Sequence, residues 1–90
     1  MLYVRRVVGA SMEPILKSGR ICVFLRRRRY TTGHIVIARV HPDGEVVKYL
    51  HGDHLVGANS RSSRYVLSDA NQIVGKLIWP RVNRQQIESY

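Results

Sequence analysis

The stretch "HIVIARVHPDGEVVKYL", His34 to Leu50, decides the fold. Its two arms are rich in β-branched and aliphatic residues, and the segment between them carries strong turn chemistry. Pro42 holds the φ angle that a turn needs, and Gly44 is free to take a positive φ. The spacing predicts an antiparallel hairpin of His34–Val40 against Glu45–Leu50, with Val40 and Glu45 as near neighbours.

The same two-residue periodicity recurs on both sides of the hairpin. "LYVRRVV" (Leu2 to Val8) and "RICVFL" (Arg20 to Leu25) precede it, while "RYVL" (Arg64 to Leu67) and "QIVGKLIW" (Gln72 to Trp79) follow. Six short strands in 90 residues predict a mainly β domain, a small antiparallel coiled sheet or partly open barrel. At most one helical turn is expected, in "MEPILKSG" (Met12 to Gly19), where Gly19 can stop it. A single domain is expected over residues 1–90, with a polar tail from about 81 to 90.

Composition narrows the functional classes. With 44% hydrophobic and 23% charged residues the chain has the makeup of a globular domain rather than a disordered one. Its apolar runs are far shorter than the ~20 residues needed to span a bilayer as a helix. A single cysteine, Cys22, excludes an internal disulfide framework and a thiolate zinc cluster, and its neighbours Val23 and Leu25 mark it as a buried strand residue. No metal or other cofactor is expected. The net charge is +9, and Arg26, Arg27, Arg28 and Arg29 supply four of those charges in a row. Such a run is commonly a solvated loop, but it also suits peripheral contact with an anionic membrane or with nucleic acid. A cytoplasmic location, with peripheral membrane contact as a variant, is the expectation.

Hydrolytic chemistry needs a nucleophile and a base. The stretch "VVGASMEPILKSG" (Val7 to Gly19) sets Ser11 in a glycine- and proline-flanked turn. A Ser-His-Asp arrangement would draw on His51 or His54 with Asp53, which spacing alone does not test. As a metal pair these two histidines would point apart, because the segment has the character of a strand end and loop. Lys48 is the other base candidate. It lies inside "EVVKYL", and a lysine becomes a base when burial among apolar groups disfavours its ammonium. A strand lysine facing solvent is the competing reading.

"GASMEPILKSG", "TGHIVIARV", "EVVKYL", "NSRSSRY" and "QIVGKLIWP" resemble, in order, the boxes of the signal peptidase I clan of Ser/Lys peptidases, which includes the LexA-like self-cleaving repressors. The resemblance runs from about Tyr3 to Arg81. It implies Ser11 as nucleophile, Lys48 as general base, the Ser11 backbone amide as oxyanion donor and Ser60 as an auxiliary hydroxyl that orients the lysine. Gly9 stands where some members carry a second, hydroxyl oxyanion donor. Tyr3, Val7, Val8, Gly9, Ala10 and Met12 are the implied contacts to a protein or peptide substrate bound as an extended strand.

The chain departs from the signal peptidase pattern at Gly19-Arg20, Gly33-His34 and Ser62, where that pattern carries acidic residues, and Tyr49 replaces a common arginine. These positions belong to the scaffold and leave Ser11 and Lys48 in place. The resemblance implies a serine endopeptidase of signal peptidase-like type. Ten residues before Ser11 leave no space for a DNA-binding domain with a cleavable linker, so a minimal core that cuts another protein is expected. Two alternatives remain open: an inactive relative that binds extended peptides, and a basic nucleic-acid-binding β-barrel.

Overall fold

The computed structural model describes residues 1–59 and 63–82. Seven strands form one antiparallel sheet that curls into a half-barrel: β1 (Leu2–Arg6), β2 (Ile21–Leu25), β3 (Ile35–Val40), β4 (Gly44–His51), β5 (His54–Val56), β6 (Tyr65–Val66) and β7 (Ile73–Trp79). Their order in the sheet is β1-β2-β7-β3-β4-β5-β6. The last strand is therefore inserted between β2 and β3, and it closes two hairpins into one sheet.

The mainly β architecture matches the expectation, with local differences. The central hairpin pairs Val40 with Gly44 and Arg39 with Glu45, so its loop is His41–Asp43 and Gly44, at φ 83°, already belongs to the strand. The additional strand, β5, follows a tight turn at Gly52-Asp53 that pairs His51 with His54. Directly opposed residues share a face, so these two histidines lie on the same side of the sheet instead of pointing apart. The expected turn at Met12–Gly19 contains a single helical hydrogen bond, Leu16 N to Met12 O, and a short 3-10 helix at Ala70–Gln72 precedes β7. The ladder of β1 ends at Arg6, two residues before the expected limit, although Val7 still exchanges backbone hydrogen bonds with Gly19 and Arg20.

Register determines what each face carries. Leu2, Leu25, Lys76, Val36 and Lys48 are successive partners in one row across β1, β2, β7, β3 and β4, so all five lie on one face. The opposite face is the concave one. There Phe24, Ile37 and Tyr49 meet Val7, Met12 and Leu16, which the loop after β1 folds over the sheet. Burying each such large side chain contributes roughly 1.5–3 kcal/mol. A second cluster, built on Val36, Ala38, Leu50 and Leu55, fills part of the other face beneath Tyr30, Tyr65 and Leu67. Cys22 is fully buried, as its neighbours suggested, and burial pushes its thiol pKa up. Gly75 is needed by packing, since a Cβ there would lie 3.1 Å from Phe24 Cβ and 3.3 Å from the Leu25 carbonyl.

Candidate active site

Ser11 sits in the loop that leaves β1. Gly9, at φ 93°, turns the chain there, and a side chain would be strained in that conformation. The Gly9 amide donates to Ser18 Oγ over 3.1 Å, which ties the start of the loop to its end. Two residues that follow β5, Ala58 and Asn59, add further hydrogen bonds. Ala58 N donates to Ser11 O at 2.8 Å, and Asn59 Nδ2 reaches Ala10 O at 2.9 Å, Glu13 O at 3.1 Å and Ser11 O at 3.4 Å. Met12 and Leu16 anchor the loop from beneath by complete burial. The serine is thus held by backbone contacts on one side and apolar packing on the other.

Lys48 is the single buried charged residue among the described residues, at 4% exposure. That excludes the solvent-facing strand lysine. Desolvation holds its pKa below the ordinary lysine range, and the charge of Asp43 opposes this with a smaller effect. The Nζ lies 5.7 Å from the centre of the Tyr65 ring. The Tyr65 hydroxyl in turn donates to Asp43, which raises the tyrosine pKa and fixes the ring over the lysine.

Ser11 and Lys48 line one cleft of about 860 Å³. Between them, among the described residues, no hydrogen bond is formed. The cleft runs between two strand segments with open edges: β1 pairs only with β2, and the part of β4 before Tyr49 is paired only on its β3 side among the described residues. Arg5 of β1 and Glu45 of β4 reach across it in an ion pair of 2.9 Å.

Of the expected substrate contacts, Val7, Val8, Gly9 and Ala10 line this cleft beside Ser11. Met12 and Tyr3 do not; Met12 is fully buried in the core and Tyr3 packs against it, so both support the loop from behind. Neither His51, His54 nor Asp53 lines the cleft; Asp53 Oδ1 instead meets His54 Nδ1 at 2.7 Å. Ser60 lies outside the described residues. Among the described residues no group of three or more His, Cys, Asp or Glu side chains is placed to hold a metal ion. Sequence reasoning missed Asn59, Asp43 and Tyr65. Asn59 adjoins Ser60 in the "NSRSSRY" box, and Asp43 lies in the hairpin turn between Pro42 and Gly44, where its residue type signals only a turn.

The curled antiparallel sheet thus brings a loop serine and a buried strand lysine to one cleft. The family model described as Peptidase S24-like matches residues 1–78, and the chain belongs to that family, within the clan of LexA-like and signal peptidase-like proteins. No curated protein and no solved structure shows significant similarity to the chain. Among the described residues no helix is long and apolar enough to cross a membrane.

Proposed function

We propose that the protein is a serine endopeptidase of signal peptidase-like type that cuts a protein or peptide held as an extended strand between β1 and β4. The burial of Lys48 in the cleft that Ser11 lines is the observation that carries this reading. A lysine kept from solvent is neutral over a wider pH range and is able to accept a proton.

In this mechanism the substrate backbone pairs with the open strand edges, as in strand addition. Lys48 Nζ takes the proton of Ser11 Oγ as Oγ attacks the scissile carbonyl. The Ser11 amide donates to the resulting oxyanion. The C–N bond breaks as the leaving nitrogen takes the proton from Lys48, and an ester on Ser11 remains. Water then attacks the ester, giving its proton to Lys48, which returns it to Ser11 Oγ. Before the first step, the Lys48 amine and the Ser11 hydroxyl come within hydrogen-bond reach.

Incubation with a library of extended peptides, read by mass spectrometry, tests the proposal. Wild-type protein cleaves, while Ser11→Ala and Lys48→Met each lose roughly 10³-fold or more in rate. Peptide capture by Ser11→Ala and wild type alike without any cleavage would instead identify an inactive peptide binder. Cleavage that survives Lys48→Met would overturn the dyad.

A further inference from the structure

The face that carries Lys48 is only half covered. Over β3, β4, β5 and the start of β7, where Ile73 is buried, it is closed by Tyr30, Tyr65 and Leu67, but over β1, β2 and the end of β7 apolar side chains stay exposed among the described residues. Leu2 and Val4 stand 59% and 58% exposed there, and Trp79, opposite Val23, is 50% exposed. Ile21 is exposed at the end of the same face, and Val23 and Leu25 fill the space between. Such a contiguous apolar surface marks an interaction site rather than ordinary scatter.

The charges on its three strands have one sign. β1, β2 and β7 contain no aspartate or glutamate. Arg6 lies opposite Ile21, Lys76 lies opposite Leu25, and the Arg20 guanidinium sits 4.9 Å over the Trp79 ring. The Arg26–Arg29 run leaves the end of β2, with Arg26 N bonded to Met1 O, so it adjoins the exposed Met1 and Leu2. Among the described residues none of these four arginines forms a salt bridge. They line, together with Asp53 and Asp69, a second cleft of about 810 Å³ that shares no residue with the cleft of Ser11.

An apolar centre with a cationic rim selects its occupant. A second copy would set arginine against arginine, on chains of net charge +9. Nucleic acid would satisfy the rim but leave Leu2 and Val4 against a polar backbone. The aromatic nearest the run, Tyr30, offers no stacking platform, because it packs on the core and its hydroxyl accepts from Arg27 N. An anionic bilayer meets both demands: aliphatic side chains enter the boundary of headgroup and acyl chain, guanidiniums take lipid phosphates, and tryptophan favours that depth. We propose that the β1-β2-β7 face, with the Arg26–Arg29 loop, docks the protein on an anionic lipid surface.

Trp79 is the single tryptophan of the chain, so its fluorescence reports directly on this face. Vesicles of phosphatidylcholine with about one-third phosphatidylglycerol should shift its emission to the blue, shield it from acrylamide and carry the protein in flotation. Pure phosphatidylcholine vesicles should do so at least about tenfold more weakly. The loop variant Arg27→Glu/Arg28→Glu and the strand variant Leu2→Gln/Val4→Gln, each checked for wild-type circular dichroism, should both lose at least about tenfold in affinity. If the strand variant does not fold, the loop variant and acrylamide shielding of wild-type Trp79 decide alone. Flotation without any change at Trp79, or a response to an oligonucleotide or an acidic protein but not to vesicles, overturns the proposal.

Discussion

Lys48 of β4 and Tyr65 of β6 meet through the amine and the aromatic ring, 5.7 Å apart, while the Tyr65 hydroxyl is held by Asp43 in the hairpin loop. The turn that makes the hairpin therefore also positions the cover of its buried lysine. Asp43 acts on Lys48 through charge as well, raising a pKa that burial lowers more strongly. In Asp43→Asn the Tyr65 hydroxyl keeps an acceptor but the charge is gone. Lys48 then loses its proton at lower pH, and the acidic limb of the kcat/KM profile moves down in pH. A limb that stays in place or moves up would show that Asp43 does not tune the base.

Stability should carry the imprint of the same lysine. Its folded pKa lies below the 10.5 of the free side chain, so between those values the unfolded chain binds more protons than the folded one. The penalty for burying the ammonium is complete below the folded pKa and fades as pH rises toward 10.5. Wild-type protein thus gains stability on alkaline titration relative to Lys48→Met, which has no such group. Urea unfolding of both proteins across that range measures the difference, and parallel curves would contradict it.

Asn59 spreads one amide over three carbonyls of the Ser11 loop. Removing it in Asn59→Ala leaves those acceptors to water and should cost roughly 1–3 kcal/mol of stability. As a positioning residue it should lower kcat more than it raises KM. Asn59→Asp presents acceptors where donors are needed and should be no better than alanine. Steady-state kinetics with equilibrium unfolding of each variant separates this from a purely structural role, in which kcat per folded molecule would be unchanged.

Gly75 lies in β7 beside the end of β2, its neighbour in the sheet. Because two of the three atoms nearest its absent Cβ belong to the Leu25 backbone, Gly75→Ala cannot be relieved by a side-chain rotation alone. A loss of about 1–3 kcal/mol is expected, seen as a lower urea midpoint with an unchanged slope. An alanine variant as stable as wild type would mean that the β2-β7 contact yields easily.

Much of this arrangement is legible in the chain. The β-branched periodicity of His34–Leu50 and its neighbours predicts the sheet, and the turn chemistry at Pro42–Gly44 predicts the hairpin, because both depend on residues close in sequence. β5 escapes a sequence reading because three residues, His54–Val56, are too few to show a period, and only a two-residue turn separates them from β4. Without β5, the sequence reads His51 and His54 as pointing apart, whereas the pairing of β4 with β5 sets them side by side.

Family resemblance singled out Ser11 and Lys48, but neither periodicity nor spacing tells a buried strand lysine from an exposed one. Alternation assigns Lys48 to the face of Val46 and Leu50, yet only the return of β6 lays Tyr65 over it. The sequence by itself determined six of the strands, the hairpin, the glycine-turned serine loop and the positive charge, all local properties of the chain. Tertiary structure alone decided that β7 enters between β2 and β3, that Asp43 holds the ring over Lys48 and Asn59 the loop of Ser11, and that the apolar face beside the arginine run stays exposed among the described residues. Those features depend on contacts between residues far apart in the chain, where pairing and burial, not local preference, determine the lowest free energy.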